Sequence, residues 1–247
     1  MGALDGRVVL VTGGGRNIGR AIAAAAAAAG ATVVVLERDR GAGRETVEGI
    51  GAAGGKAVEI TADLRDPGAL GRTFAEALRN LGRLDGLVNN AAVYLREEFL
   101  GITGEQWDLV LDTNLKGAFL ATQAFGSVVR ATGRGSVVNV ASVHATVGDA
   151  ALVPHCAAKA GLLGLTRAAA EALRPLGVRV NAVSPGAVAT GKVAWNAPHP
   201  AEPLASLLVP SMVADAVVFL LSDAAAGITG AELVVGGGTA TELRIPS

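Results

Sequence analysis

The stretch Arg7–Leu36, RVVLVTGGGRNIGRAIAAAAAAAGATVVVL, decides the fold. Arg7–Thr12 is a short run rich in β-branched residues and reads as a buried strand. A glycine cluster follows. Ile18–Ala29 is built on alanine, the best helix former, and Gly30 ends it. Ala31–Leu36 is a second buried strand. The unit is strand, turn, helix, strand, with a glycine-rich first turn from Gly13 to Gly19. Backbone N–H groups and the helix dipole at such a turn can hold a pyrophosphate. Glycine is needed because a Cβ would block the approach of the phosphates and the packing of helix on strand. A merely flexible turn is the other reading of a lone glycine cluster; the flanking strands and helix favour dinucleotide binding.

The same alternation runs outward to the C-terminus. Helices are predicted over Gly41–Ala53, Pro67–Leu81, Thr103–Arg130 (with a break near Thr113–Gly117), Pro154–Leu173 and Pro210–Leu221. Strands are predicted over Ala57–Thr61, Leu84–Asn89, Gly135–Ala141, Val178–Val183 and Ala231–Val235. This order argues for an α/β fold: one doubly wound parallel sheet with helices on both faces, three layers, in a single domain over residues 1–247. Ala187–Val209 is the least regular part, with Pro198, Pro200 and Pro203 inside it and Pro210 just beyond. Residues 188–210 therefore read as a lid over a substrate.

Composition narrows the function classes. The chain has 247 residues, 51% of them hydrophobic, enough for one substantial core. Its 21 basic and 22 acidic residues leave a formal charge of -1 with no charged block, which argues against nucleic acid or an anionic membrane as partner. Cys156 has no second cysteine to pair with, so a reducing compartment is expected. The start lacks the pattern of a signal peptide, Gly6 stands where a myristoylation site needs Ser or Thr, and Ala23–Ala29 is too short to span a bilayer. A cytoplasmic protein is the expectation. The three histidines, one cysteine and scattered acids have no metal-ligand spacing. Trp107 and Trp195 read as structural, and His199 as solvated or a substrate contact.

Glu37 closes the second strand, eighteen residues past Gly19. A carboxylate there accepts hydrogen bonds from ribose hydroxyls and repels a 2′-phosphate, which favours NAD over NADP. Arg38 beside it could instead neutralise a phosphate, and an ordinary solvated turn explains both residues equally simply.

Several further motifs together resemble the short-chain dehydrogenase/reductase family over essentially the whole chain. Thr12–Gly19 (TGGGRNIG) is similar to its TGxxxGxG loop, with Asn17 in place of the middle glycine; Asn adopts positive φ at modest cost. Asp63-Leu64 matches the acidic stretch used for adenine, and Asn89–Ala92 (NNAA) looks like NNAG. Asn114 matches the helix-kink asparagine, and Ser142, thirteen before residue 155, the substrate serine. Pro185–Thr190 (PGAVAT) resembles the segment that grips the nicotinamide, and Thr229–Gly238 the terminal TGxxxxVDGG, with Gly236 where Asp is usual. The resemblance implies a Rossmann-type fold, a bound nicotinamide cofactor, a small-molecule substrate, and a homo-oligomer, tetramer or dimer. It implies cofactor contacts from Gly13, Gly15, Arg16, Asn17, Ile18, Gly19, Glu37, Arg38, Asp63, Leu64, Asn90, Ala91, Lys159, Pro185, Gly186, Val188 and Thr190. In the family's hydride-transfer scheme Ser holds the substrate oxygen, Tyr exchanges its proton, Lys lowers the Tyr pKa, and Asn orders a relay water.

The family motif is YxxxK, and here it reads His155-Cys156-Ala157-Ala158-Lys159. Residues 155 and 159 share one helix face. A neutral imidazole accepts protons at pH 7, and a nearby lysine disfavours imidazolium, so the pair suits alcohol oxidation better than ketone reduction. One reading is an NAD-dependent oxidoreductase acting on a CH–OH/C=O group, with His155 as base, Ser142 holding the oxygen, and Lys159 and Asn114 supporting. The other keeps the fold and nucleotide but assigns a non-redox step, such as dehydration or cyclisation, or a non-catalytic binding or partner role. His144 reads equally as a residue lining the substrate pocket or as a loop residue with no catalytic role, and Cys156 reads as packing.

Overall fold

In the first strand, β1 (Val8–Thr12), alternate side chains enter two different cores. Val9 and Val11 pack with α1 (Asn17–Ala28) and α7 (Pro210–Leu221), whereas Val8 and Leu10 pack with α3 (Pro67–Leu81), α5 (Gly117–Val129) and α6 (Val153–Leu173). A strand buried on both faces needs apolar residues at every position, which is why these segments read as continuous runs. The architecture is that of a computed structural model describing residues 2–129, 133–191 and 208–237.

The remaining strands are β2 (Thr32–Glu37), β3 (Lys56–Thr61), β4 (Gly86–Asn89), β5 (Gly135–Val140), β6 (Val178–Pro185) and β7 (Glu232–Val235). All pair in parallel, in the order β3-β2-β1-β4-β5-β6-β7. With helices on both faces this is the expected single-domain, three-layer Rossmann-type sheet. The chain winds from β1 outward to β3, then starts again from β1's other side with β4. Ligands in such sheets bind beyond the carboxyl ends of the strands at that reversal.

Several elements depart from the sequence expectation. β4 begins at Gly86, two residues after the expected Leu84. The helix predicted over Thr103–Arg130 is α4 (Gly104–Leu111), a π turn (Asp112–Lys116) and α5, so the break falls where Thr113–Gly117 suggested. β6 runs to Pro185, two residues past the predicted end, because β7 pairs with Ser184 and Pro185 from the far end of the chain. Under the site, buried Asn89 donates to Thr122 and Asn139, and Asn139 donates to Thr166, tying β4 and β5 to α5 and α6.

The described residues on either side of 192–207 are bonded to each other: Ala189 N–H donates to Leu208 O (2.8 Å), and Leu208 N–H to Ala187 O (2.9 Å). Trp195, His199 and the prolines at 198, 200 and 203 lie outside the described residues, as do Arg130 and Gly238. Among the described residues no helix is long and apolar enough to cross a membrane, and no group of three or more His, Cys, Asp or Glu could hold a metal ion.

Candidate active site

The exits of β1 and β4 are stitched together, and that stitch shapes the glycine turn. Thr12 Oγ1 donates to Val88 O (3.2 Å) and accepts from the N–H groups of Asn90 (3.0 Å) and Ala91 (3.1 Å). The Asn90 amide donates to the carbonyls of Thr12 (3.1 Å) and Gly13 (3.0 Å). Gly13 has φ +63°, and a Cβ there would lie 2.8 Å from Ala91 Cα. A Cβ on Gly19 would lie 2.0 Å from Gly13 O. Asn17 takes φ 48°, the one positive φ outside glycine among the described residues, so it stands in for the missing glycine in backbone as well as in sequence.

The α1 N-terminus has no side-chain cap, while α2 (Arg40–Ala52), α3 and α4 are capped by Asp39, Asp66 and Thr103. The uncapped donors and the glycine cradle open into the cleft, which fits a pyrophosphate. Gly19→Ala is expected to push the turn off this geometry, lowering stability by about 1–3 kcal/mol as an overpacked site does. It should also weaken nucleotide binding; thermal melts and a fluorescence titration with NADH check both, and wild-type values in both would count against the tight packing described.

Gly15 does not line the cleft. Its N–H donates to Glu37 Oε2 (3.1 Å), and a Cβ there would crowd Glu37 Cγ at 2.9 Å. Glu37 Oε1 also accepts from the N–H groups of Arg38 (2.9 Å) and Asp39 (3.3 Å), so backbone donors fix this carboxylate at the cleft's edge. Arg38 lines the cleft beside it, and Arg16 pairs with Asp39. Asp63 pairs with Arg65 at 2.6 Å, and the Arg65 hydrogen bond holds its carboxyl below the usual range. Arg65 was not expected from sequence; as a neighbour of Asp63 it had no motif to mark it.

At the other end, α6 presents His155 and Lys159 on one buried face. Lys159 Nζ donates to Val140 O (2.6 Å), and burial lowers its pKa to about 8. Burial first, then the charge of Lys159, then His144, lower the His155 pKa to about 4, against Asp149. Ser142 Oγ accepts from His144 N–H (3.1 Å), leaving its hydroxyl proton to donate. Pro185, Gly186, Val188 and Thr190 line the cleft as well, along with Asn17, Ile18, Leu64 and Ala91. One cleft of about 860 Å³ therefore joins the glycine turn, Glu37, Ser142, His155 and Lys159.

Asn114 stays outside it. Its side chain accepts from Val93 N–H (2.7 Å) and donates to Val93 O (2.9 Å) from the π turn, which fixes the loop leading to Tyr94. Tyr94, the chain's single tyrosine, lies edge-on to His155 with ring centroids 5.1 Å apart. Arg96 sits 6.0 Å over the Tyr94 ring and 3.5 Å from Asp149. Sequence reasoning missed Tyr94; its only signal was its place just past β4's carboxyl end. Cys156 Sγ is 4.0 Å from Asp149 O, a packing contact. The arrangement can seat a dinucleotide along the strand ends and offer a substrate oxygen one hydroxyl donor and one neutral imidazole.

A family profile described as "Enoyl-(Acyl carrier protein) reductase" matches residues 13–240. The chain is 37% identical to a (3R)-3-hydroxyacyl-CoA dehydrogenase of Canis lupus familiaris over 95% of this chain and 96% of that protein. It is 36% identical to a D-threitol dehydrogenase of Mycolicibacterium smegmatis, over 95% and 93%. The crystal structure of a short-chain type dehydrogenase/reductase from Mycobacterium marinum superposes with TM-score 0.88 at 31% identity, over 95% and 96%.

Proposed function

Because this chain belongs to the short-chain dehydrogenase/reductase family, we propose that it is an NAD-dependent oxidoreductase that oxidises a carbinol of a small molecule, with His155 as its acid–base group. The observation that carries the reading is that Ser142, His155 and Lys159 line the same cleft as the uncapped glycine turn. Gly13, Asn17 and Gly19 hold the pyrophosphate, Glu37 the ribose of the adenosine, and Lys159 the second ribose. A bound nicotinamide supplies the hydride acceptor. Ser142 donates to the substrate oxygen, and His155, neutral at pH 7, takes its proton. Tyr94 and His144 wall the imidazole in, and Asn114 holds the Tyr94 loop in place.

The preference for NAD rests on Glu37, whose carboxylate is held by three backbone N–H groups and would face a 2′-phosphate. Titration with NADH and NADPH is expected to give tight binding of NADH alone, and Glu37→Ser should admit NADPH through the exposed Arg38. Binding of NADPH in preference to NADH by the wild type overturns the assignment. For the reaction, the wild type should oxidise members of an alcohol panel; turnover confined to His155→Tyr would mean that the natural site performs another step.

A further inference from the structure

We propose that Arg96 holds a carboxylate of the substrate, so that the molecule oxidised is a hydroxy acid with its carbinol at Ser142 and His155 and its anionic end at the guanidinium. The inference rests on the reading of Ser142 and His155 as the groups that engage the carbinol.

Arg96 lines the cleft, and the segment that carries it is fixed on both sides. The Asn114 side chain accepts from Val93 N–H (2.7 Å) and donates to Val93 O (2.9 Å), and Glu97 N–H donates to Ala151 O (3.1 Å). The Arg96 guanidinium stands 6.0 Å over the Tyr94 ring, and the His155 ring lies at that ring's edge, centroids 5.1 Å apart. One aromatic ring therefore separates the guanidinium from the imidazole. Tyr94 is 57% exposed, which leaves ring surface for a short carbon chain to lie along.

The guanidinium has donors to give. Its contact with Asp149 Oδ2 is 3.5 Å, beyond good hydrogen-bond range. The Arg96 side chain is 61% exposed and that of Asp149 15%. Asp149 Oδ1 accepts from Ala151 N–H (2.9 Å), so the acid is tied to the backbone while the guanidinium stays open. A guanidinium offers five N–H donors in a planar fork, and a carboxylate matches that fork with two oxygens. Glu97, next in the chain but one side of the cleft lining, turns its carboxylate to Glu98 N–H (3.0 Å). Among the described residues that line the cleft, Glu37 and Asp63 lie at its other end, past β2 and β3. That leaves Asp149 as the one acid near His155, against Arg96 and Lys159. The excess of positive charge favours an anion there. Arg96 makes and breaks no bond: hydride still goes to the nicotinamide and the hydroxyl proton to His155.

The test compares 3-hydroxybutyrate and 5-hydroxyhexanoate, each with its own amide, which keeps the shape and removes the charge. The wild type should favour at least one acid over its amide by roughly tenfold or more in kcat/KM, the scale of a hydrogen bond to a charged group. Arg96→Gln should erase that preference by raising KM for the acid, with the amide unchanged. Arg96→Lys should keep part of it, since an ammonium retains the charge and loses the fork. A readout without turnover is calorimetry on the NAD-loaded protein: hexanoate should bind more tightly than hexanamide, and Arg96→Gln should abolish the difference. Acids turned over no better than their amides at both lengths, or an Arg96→Gln that slows acid and amide alike, would make Arg96 only a strap for its loop and overturns the subsite. A wild type that binds NADH and oxidises neither these compounds nor neutral alcohols overturns the functional reading beneath it, and hexanoate binding then decides the subsite separately.

Discussion

Alanine at position 155 is expected to lower kcat for alcohol oxidation by about 10²- to 10⁴-fold, the range that one acid–base group supplies. NADH affinity should stay near wild type, because His155 packs against Tyr94 and His144 and not against the glycine turn. Retention of kcat in the variant would remove His155 from the mechanism. The pH dependence carries the same signature. Burial and the Lys159 charge hold the imidazole to about 4, so the acid limb of kcat/KM should lie near pH 4 and not at the ordinary 6.5. Stability follows the same group. Between pH 6.5 and about 4 the unfolded chain binds a proton here that the folded chain refuses, so stability falls as pH falls through that window. Urea unfolding of wild type against His155→Phe measures it, and equal slopes with pH would contradict the burial described.

Lys159→Met should separate stability from function. Burial displaces this ammonium from 10.5 to about 8, a cost on the order of 3 kcal/mol at neutral pH. Between pH 8 and 10.5 the unfolded chain still holds a proton that the folded chain has lost, so wild-type stability should rise with pH across that interval. The rise should vanish in Lys159→Met. At pH 7 the gain from removing the charge is offset by about 1–3 kcal/mol because Val140 O loses its donor. Nucleotide-dependent turnover should fall by roughly 10²-fold with the loss of a group that positions cofactor. Unfolding curves at pH 7, 9 and 10.5 check the first expectation and steady-state kinetics the second; a variant with wild-type turnover would take Lys159 out of the site.

The parallel sheet was legible because its information is local. Runs such as Val8–Val11 and Val33–Leu36 are apolar throughout since both faces are buried, and Asp66-Pro67 and Gly82 mark the ends of α3 on their own. Asn17 was legible as a substitute glycine because positive φ is a property of the single residue. Gly15 was read as a cofactor contact; what no local pattern showed is that it packs on Glu37, with its N–H donating to a carboxylate twenty-two residues away. Asn114 was read as a supporting site residue; the structure engages it with Val93 and so makes it a brace for the Tyr94 loop.

By itself, then, the sequence determined the order and kind of the elements, the glycine-rich turn after β1 and the histidine where the family motif has tyrosine, because each is written in adjacent residues or in one helical turn. Only the tertiary structure decided what surrounds that histidine. Tyr94 follows β4, while His144 and Lys159, the latter on α6, follow β5; they meet because these two neighbouring parallel strands end side by side at the carboxyl end of the sheet. The imidazole's low basicity comes from that convergence, since burial and a neighbouring charge are properties of the assembled site.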